Sequence, residues 1–510
     1  MSRILFVAPP YLCWGVQVIG TWPPLQLAYL AGAAEQSGHQ CSVFDAMKKP
    51  GAGFEEIRAE VARVKPDVVM SLDYLPVTGA IATATVPAAL QALRIAKEVD
   101  PRITTIIGGP LPTFMFKEIF ADRQNRVDYV LCGEAEQTLP ELLKAIQGGD
   151  PGAVQGIAFQ RDGQVVATPL RPHVADLDPV RPAWHLLDWK DYHYNIDPYG
   201  RMASMLTSRG CMMGCSFCSH RQFWRGDWRA RTPANVIEEM HELVDQHAVE
   251  FITLIDPYPT NDPVRWEKLL DALIAEKMPV RLLMETRVED VIRDQQILWK
   301  YREAGVIHLY LGAEGSSDEM LVSLNKGTTV DQNHRAVELA RQNDIMTEAS
   351  FMIGGPLETK KSIEHTISEA IRINPDIAVF PVLTPMPFTP IYQQFKDRVR
   401  VHDWSKYNLA TPIVEPYEMT LEDVHVALGQ CYMRFYAKKM PEIMALPDGF
   451  KRRYMLSAFQ EMMKGYMASF SSLGARMPQM ASGPGIPAMP TTVPPAMAAA
   501  MKGMFGKHPG

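Results

Sequence analysis

Residues 208–228 read SRGCMMGCSFCSHRQFWRGDW, and three of the chain's seven cysteines, Cys211, Cys215 and Cys218, fall inside this stretch in the order C-x3-C-x2-C. A short loop folds three sulfurs inward at small closure cost, so the thiolates can share one inorganic centre. Soft thiolates favour zinc, copper(I) or iron–sulfur. A structural zinc site asks for a fourth protein ligand, commonly from a second Cys or His pair at its own short spacing. The chain has no second cysteine pair, and His220 is the only nearby substitute. An iron–sulfur cubane held by three cysteines keeps one iron open for a cofactor or substrate, and this is the preferred reading of the loop.

Working outward toward the amino terminus, residues 1–148 alternate strand and helix patterns. Buried strands are expected at Ile4–Ala8, Cys41–Asp45, Asp67–Leu72, Ile103–Ile107 and Val127–Leu131, with helices at Leu25–Ser37, Phe54–Val64 and Val86–Glu98. Such alternation predicts a doubly wound, Rossmann-like α/β domain, a parallel sheet covered on both faces. Its ligands bind outside the carboxyl ends of the strands. The turns there are Pro9-Pro10, Asp73-Tyr74, Gly108-Gly109-Pro110 and Cys132-Gly133-Glu134. No G-x-G-x-x-G follows the first strand, which counts against a dinucleotide. Residues 149–200 read as a connector: a hairpin around Asp162-Gly163, then the aperiodic, proline-rich RPHVADLDPVRPAW.

Toward the carboxyl terminus, residues 201–400 repeat the alternation. Strands are expected at Ser204–Thr207, Phe251–Ile255, Arg281–Met284, His308–Leu311, Ala349–Ile353 and Ile377–Val382. The first helix opens at Thr232-Pro233, a capping residue followed by proline, with Ile237, Met240 and Val244 facing inward. Six such units suit a partial (β/α)6 barrel, and parallel barrels carry their active residues at the strand carboxyl ends. That rule singles out Asp256, Glu285, Arg287, Glu314 and the pair Gly354-Gly355. A carboxylate accepts the paired hydrogen bonds of a ribose, and glycines let backbone pass close to an aromatic base. Each acid alone is as readily a helix cap or a surface ion pair. Lys326, in the turn NKGTT, either steadies a carboxylate or is a solvated lysine, the commoner outcome. Phe223, Trp224 and Trp228 are core residues or the lining of a pocket for a flat substrate.

The cysteine spacing with an aromatic residue before the last cysteine, Phe217, resembles the signature of the radical S-adenosylmethionine enzymes. In that family the open iron of a 4Fe-4S cluster chelates S-adenosylmethionine, whose reductive cleavage yields a 5'-deoxyadenosyl radical. The resemblance implies S-adenosylmethionine contacts from Phe217, Asp256, Glu285, Arg287, Glu314, Gly354 and Gly355. The first domain resembles the cobalamin-binding domain that precedes many such cores. It implies corrin contacts from Pro10, Asp73, Gly108, Gly109, Pro112, Thr113, Gly133 and Glu134. Leu111 stands where that group often has histidine, and the D-x-H-x-x-G element that supplies histidine to cobalt elsewhere is missing.

The stretches GTWPPLQLAYLAG, FWRGDWRARTP, LGAEGSSDEMLVSLNKGTT, TPMPFTPIYQQF and WSKYNLATPI resemble, within that family, the anaerobic oxidative cyclases of magnesium-protoporphyrin IX monomethyl ester. Met212-Met213 and His220-Arg221 depart from that pattern. The alternatives are a cobalamin-dependent radical methyltransferase acting on a lipid or natural product, and a non-catalytic corrin or metal sensor. The resemblance implies a flat or hydrophobic small-molecule substrate and an external reductant such as flavodoxin or ferredoxin.

The bulk numbers agree with a soluble enzyme. A formal net charge of -7 argues against binding nucleic acid through a basic surface. Cysteines are few and mostly scattered, which excludes a disulfide scaffold. The opening MSRILFVAPPYLCWG has too short an apolar run for a signal peptide, and no apolar run is long enough to span a bilayer. A reducing cytoplasm is the expected location. Residues 401–475 read as mainly helical, with Lys438, Lys439, Lys451, Arg452 and Arg453 forming a solvated face or a grip on anions or a membrane surface. Residues 476–510, rich in Pro, Met, Ala and Gly, are expected to be disordered.

Overall fold

The structure, a computed structural model, describes residues 1–10, 19–47, 53–73 and 83–474. The tail from residue 476, with its expected disorder, lies outside the described residues, as does Tyr74. The strands in chain order begin with Arg3–Ala8 (β1), Gly20–Thr21 (β2), Gln40–Asp45 (β3), Val68–Leu72 (β4), Thr104–Gly108 (β5), Tyr129–Leu131 (β6), Ile157–Arg161 (β7) and Gln164–Ala167 (β8). They continue with His193–Tyr194 (β9), Gly200–Met205 (β10), Ser208–Gly210 (β11), Trp228–Ala230 (β12), Phe251–Leu254 (β13), Arg281–Thr286 (β14), Val306–Glu314 (β15), Met346–Phe351 (β16) and Ile377–Val379 (β17).

The first sheet runs β3-β1-β4-β5-β6-β7-β8, with its first five strands parallel. Period-two alternation along β1 explains the two layers. Ile4 and Phe6 join the core beneath helix Leu25–Gln36, while Leu5 and Val7 join the core beneath helices Phe54–Val64 and Val86–Val99. The expected hairpin at Asp162-Gly163 is present, but its strands are not free-standing. β7 pairs antiparallel with β6 and extends the first sheet, so that sheet has seven strands rather than five.

The second sheet runs β17-β16-β15-β14-β13-β10-β9-β2, and its six parallel strands are the six expected. Two short antiparallel strands cap its open edge. One of them, β2, comes from the amino-terminal part of the chain, which therefore supplies strands to both sheets. Along β15, Leu309, Leu311 and Ala313 join the helix-facing core, which leaves His308, Tyr310 and Glu314 on the opposite, inner face.

The helix after Thr232 forms as the capping signal predicts, with Thr232 Oγ1 accepting from Asn235 N. Its inner face departs from expectation after one turn. Residues Glu242–Gln246 wind as a π-helix, so Leu243 is buried and Val244 only half-buried. The carboxyl-terminal helices Leu421–Ala445 and Phe450–Gly474 close the lower end of the barrel, where the Tyr454 hydroxyl lies 2.7 Å from His308 Nδ1. Two of their basic residues serve this docking. Lys451 pairs with Asp376 at 2.9 Å, and Lys439 Nζ donates to Asn374 Oδ1 at 2.7 Å. Among the described residues no helix is long and apolar enough to cross a membrane.

Candidate active site at the domain boundary

The cysteine loop is closed at its base by a two-stranded ribbon, β11 against β12, with Gly210 opposite Trp228. Gly210 has φ +94°, and a side chain there would start 2.0 Å from the Asp227 carbonyl oxygen, so only glycine turns this corner. Asp256 anchors the strand entering the ribbon. It is fully buried and accepts from Thr207 N at 3.0 Å, Thr207 Oγ1 at 2.8 Å and Ser208 Oγ at 2.6 Å. Burial pushes its acidity down and those hydrogen bonds pull it back, leaving the pKa raised. Asp256, singled out in the sequence as a cofactor contact, has its acceptors engaged at the root of the cluster loop.

Above that root the loop is gripped from three sides. Ser216 N donates to the Leu324 carbonyl at 2.9 Å, and Asn325 Nδ2 donates to the Gly214 carbonyl at 2.7 Å. Ile391 N donates to the Ser216 carbonyl at 3.1 Å. Phe217 packs with Leu324, Met352, Leu383 and Ile391, so its aromatic ring seats the loop in an apolar notch. Leu324 and Ile391 act through backbone atoms and Asn325 through its side-chain amide, so residue type alone does not single them out within the stretches that carry the resemblance.

Cys215 is buried, while Cys211 and Cys218 are half-buried. Burial, reinforced by the neighbouring sulfurs, pushes the Cys211 thiol up and the Cys218 thiol up to about 12. Ionising these thiols therefore calls for positive charge, which a bound metal centre supplies. Some is already present. Arg287 Nη1 lies 3.9 Å from Cys215 Sγ, and the same guanidinium donates to the Lys326 carbonyl at 2.6 Å. Among the described residues no group of three ligating side chains stands at metal-binding spacing.

Lys326 is not solvated. It is 6% exposed, with Nζ 3.5 Å from Glu314 Oε1, and Ser350 Oγ donates to the other oxygen of that carboxylate at 3.1 Å. A Cβ at Gly312 would meet both Glu314 Oε1 and Lys326 Nζ at 2.7 Å, so the ion pair occupies the space this glycine vacates. Glu285 is half-buried on β14, in register with Tyr310. Gly354 serves packing: its φ is +75°, and a side chain would strike Val424 at 2.8 Å and Val382 at 3.1 Å. Gly355 is the more open of the two, with Leu383 3.8 Å away.

The turns of the first domain expected to hold a corrin face this assembly across a narrow cleft of about 120 Å3. Asp73, Gly108, Gly109, Gly133 and Glu134 line one wall; Leu206, Arg209, Ile255, His220, Phe223 and Trp224 line the other. Thr113 Oγ1 ties two turns together, donating to the Gly109 carbonyl at 2.7 Å and accepting from Gly133 N at 2.9 Å. Pro112 is buried within helix Pro110–Ala121, and Pro10, past β1, is half-buried away from the lining residues. Asp73 is buried, accepting from Leu111 N at 2.8 Å and from Thr85 Oγ1 at 3.1 Å. Burial raises its pKa to about 7. A Cβ at Gly133 would meet nothing within 4 Å, so at this turn the wall presents bare backbone to the cleft. Backbone turns opposite an apolar wall containing an edge-on Phe223–Trp224 pair, centroids 4.9 Å apart, suit a broad flat macrocycle.

Glu134 does more than line the cleft. Its carboxylate accepts from Arg209 Nη1 at 2.6 Å, from Arg229 Nη1 at 3.0 Å and from Val174 N at 2.7 Å. Glu136 takes Arg209 Nη2 at 2.7 Å. Burial pushes Glu134 up, yet the two guanidinium groups hold it below the usual carboxylate range. Arg209 sits two residues before Cys211, so this buried network fastens the corrin-side turn to the cluster loop. A second bridge crosses nearby, where Phe388 stacks on Phe114 at 4.4 Å.

Residues 13–143 match the family model described as B12 binding domain, and residues 205–370 match the model described as Radical SAM superfamily. The anaerobic magnesium-protoporphyrin IX monomethyl ester cyclases of Cereibacter sphaeroides and Rubrivivax gelatinosus are 36% and 37% identical over 483 residues. Those matches span 92% of this chain and 77% and 84% of the two relatives. The hopanoid C-3 methylase of Methylococcus capsulatus is 25% identical, over 82% of this chain and 77% of its own. Among solved structures, the radical S-adenosylmethionine methyltransferase TsrM from Kitasatospora setae, with cobalamin and a 4Fe-4S cluster bound, agrees in fold. Its TM-score is 0.67 at 16% identity, covering 92% of this chain and 100% of that one.

Proposed function

The chain belongs to the radical S-adenosylmethionine enzymes that carry a B12-binding domain, and on that premise we propose that it closes a ring on a porphyrin-type substrate by anaerobic oxidation. Its cofactors are a 4Fe-4S cluster, S-adenosylmethionine and cobalamin. Together they supply a carbon radical able to take hydrogen from an unactivated position, with the corrin within reach of the same substrate. The observation that carries the reading is the single cleft between cluster loop and corrin-side turns, walled by Phe223 and Trp224. It comes with cyclase relatives matched over 92% of the chain.

In this reading Cys211, Cys215 and Cys218 hold the cluster. Arg287 and Lys326 stabilise the thiolates and attract the carboxylate of S-adenosylmethionine. Glu285, Glu314 and Gly355 stand at the strand ends nearest the remaining parts of that cofactor. Phe217 fixes the loop from behind. Gly108, Gly109 and Gly133 give the corrin a side-chain-free bed, and the Glu134–Arg209 network keeps that bed at constant distance from the cluster. An external reductant such as flavodoxin or ferredoxin supplies electrons, and the reducing cytoplasm is the compartment that protects such a cluster.

The hopanoid methylase relative favours a second reading, radical methylation of an unactivated carbon. Product analysis separates the two. Anaerobically reconstituted protein, given reductant, S-adenosylmethionine and magnesium-protoporphyrin IX monomethyl ester, is expected to form the ring-closed product with 5'-deoxyadenosine alone. S-adenosylhomocysteine appearing alongside deoxyadenosine, with no ring closure, would replace the first reading by the second. Absence of any S-adenosylmethionine cleavage would reject both and leave a corrin or metal sensor.

A further inference from the structure

One group on the cluster-side wall of the cleft has no use in the account above. His220 opens the short helix His220–Phe223, two residues past Cys218, and its ring lines the cleft beside Phe223 and Trp224. Its Nδ1 is shut off from solvent and has no hydrogen-bond partner. A buried imidazole nitrogen without a partner is unusual, since desolvation is normally repaid by a hydrogen bond or a metal.

The opposite wall cannot supply such a nitrogen. The first 150 residues contain a single histidine, His39. It stands just before β3, at the amino-terminal end of the sheet, where Ser2 N donates to its Nδ1 at 3.4 Å. Leu111 occupies the turn where an imidazole would have faced the corrin, and its backbone N–H is committed to Asp73. On the cluster side His173 is engaged by Asp227 at 3.1 Å. His220 is the only histidine among the residues lining the cleft.

We infer that His220 is a cobalt ligand, donating an axial nitrogen to the corrin from the cluster side of the cleft. The inference rests on the reading of the chain as a cobalamin enzyme and sharpens it. A macrocycle resting on Gly108, Gly109 and Gly133 turns its free face toward the wall that carries His220. The neutral imidazole donates a lone pair to cobalt in place of water, and no electron or proton is transferred. Cobalt(I) rejects axial donors because its axial orbital is filled, whereas cobalt(II) and cobalt(III) accept them. An imidazole fixed on the substrate side therefore disfavours the cobalt(I) state and blocks the face that would collect a methyl group. Both effects favour ring closure over methyl transfer.

The test is spectroscopic. Full-length protein, prepared anaerobically and loaded with cob(II)alamin, is desalted and its electron paramagnetic resonance recorded with natural and with 15N-labelled histidine. The expected result is an axial nitrogen triplet that becomes a doublet on labelling. The triplet should vanish in His220→Ala and return on adding free imidazole. A triplet unchanged by labelling, meaning the nitrogen belongs to the corrin's own benzimidazole, overturns the inference, as does a spectrum without nitrogen splitting. The labelled wild-type spectrum decides even where His220→Ala loses the corrin. Corrin absorbance lost on desalting the unaltered protein would count instead against the cobalamin reading itself.

Discussion

The two walls of the cleft are built on opposite plans. His220 apart, the cluster side is crowded with polar side chains that already have partners: Asp256 with Thr207 and Ser208, Arg209 with Glu134 and Glu136, Lys326 with Glu314. The corrin wall interrupts its side chains, Leu72, Asp73 and Glu134 among them, with glycine turns: Gly109 and Gly133 have positive φ, and a Cβ at Gly133 would meet empty space. A loop that must hold three sulfurs in fixed geometry needs redundant anchors. A bed for a broad, flat group needs side chains kept away. Substitutions in the two walls should therefore fail in different ways.

The largest effect expected is on the cluster wall. Replacing Cys211, Cys215 and Cys218 with alanine should remove the iron–sulfur absorbance and all deoxyadenosine formation while hydroxocobalamin binding persists. Loss of corrin binding in that variant would show that the walls are not separable. Next comes the seam between them. Glu134→Ala leaves buried Arg209 and Arg229 short of a partner, a change that costs roughly 3–5 kcal/mol in comparable buried pairs. Denaturant unfolding should report that loss, with both cofactors binding more weakly; a cost under about 1 kcal/mol would mean the seam is held elsewhere.

Smaller and more selective is Gly133→Leu. A Cβ at this position meets nothing within 4 Å, so the expected stability loss is mainly the roughly 1–2 kcal/mol of forcing a positive φ. Cobalamin affinity should fall by at least about tenfold, or about 1.4 kcal/mol, with cluster content unchanged. Equal loss of both cofactors would break the contrast between the walls.

The subtlest test is Asp73. Its folded pKa of about 7 lies above the unfolded value near 3.8, so between those limits the folded chain binds more protons than the unfolded one. Stability from this group therefore declines as pH rises through that window, by up to about 1.4 kcal/mol per pH unit. Asp73→Asn should flatten the slope between roughly pH 4 and 7. An unchanged slope would place the titration on another residue.

Local patterns were legible where one segment carries its own signal. The cysteine spacing, the Thr232-Pro233 helix start and the buried strands all fall where the side-chain periods put them. The reading went astray where a distant partner decides. Leu243 is more deeply buried than the expected Val244, which packs at the edge of the same core where the helix winds as a π-turn. Asp256 looks like a ligand by position but anchors a neighbouring strand, and Lys326 looks solvated until Glu314 folds over it. Leu324, Asn325 and Ile391 hold the cluster loop through backbone atoms and one amide, which no residue type announces.

Composition and spacing alone therefore pointed to a thiolate loop suited to a soft metal centre and to two α/β units, because thiolate chemistry and side-chain periodicity are properties of short segments; the cofactor class came from the resemblance to a known family. Only the folded chain decided which buried acids serve the scaffold, that β2 crosses to the second sheet, and that His220 is left unpaired between two walls. These depend on contacts between residues far apart in the chain, and burial, which sets the cost of every unpaired charge or nitrogen, exists only once those contacts have formed.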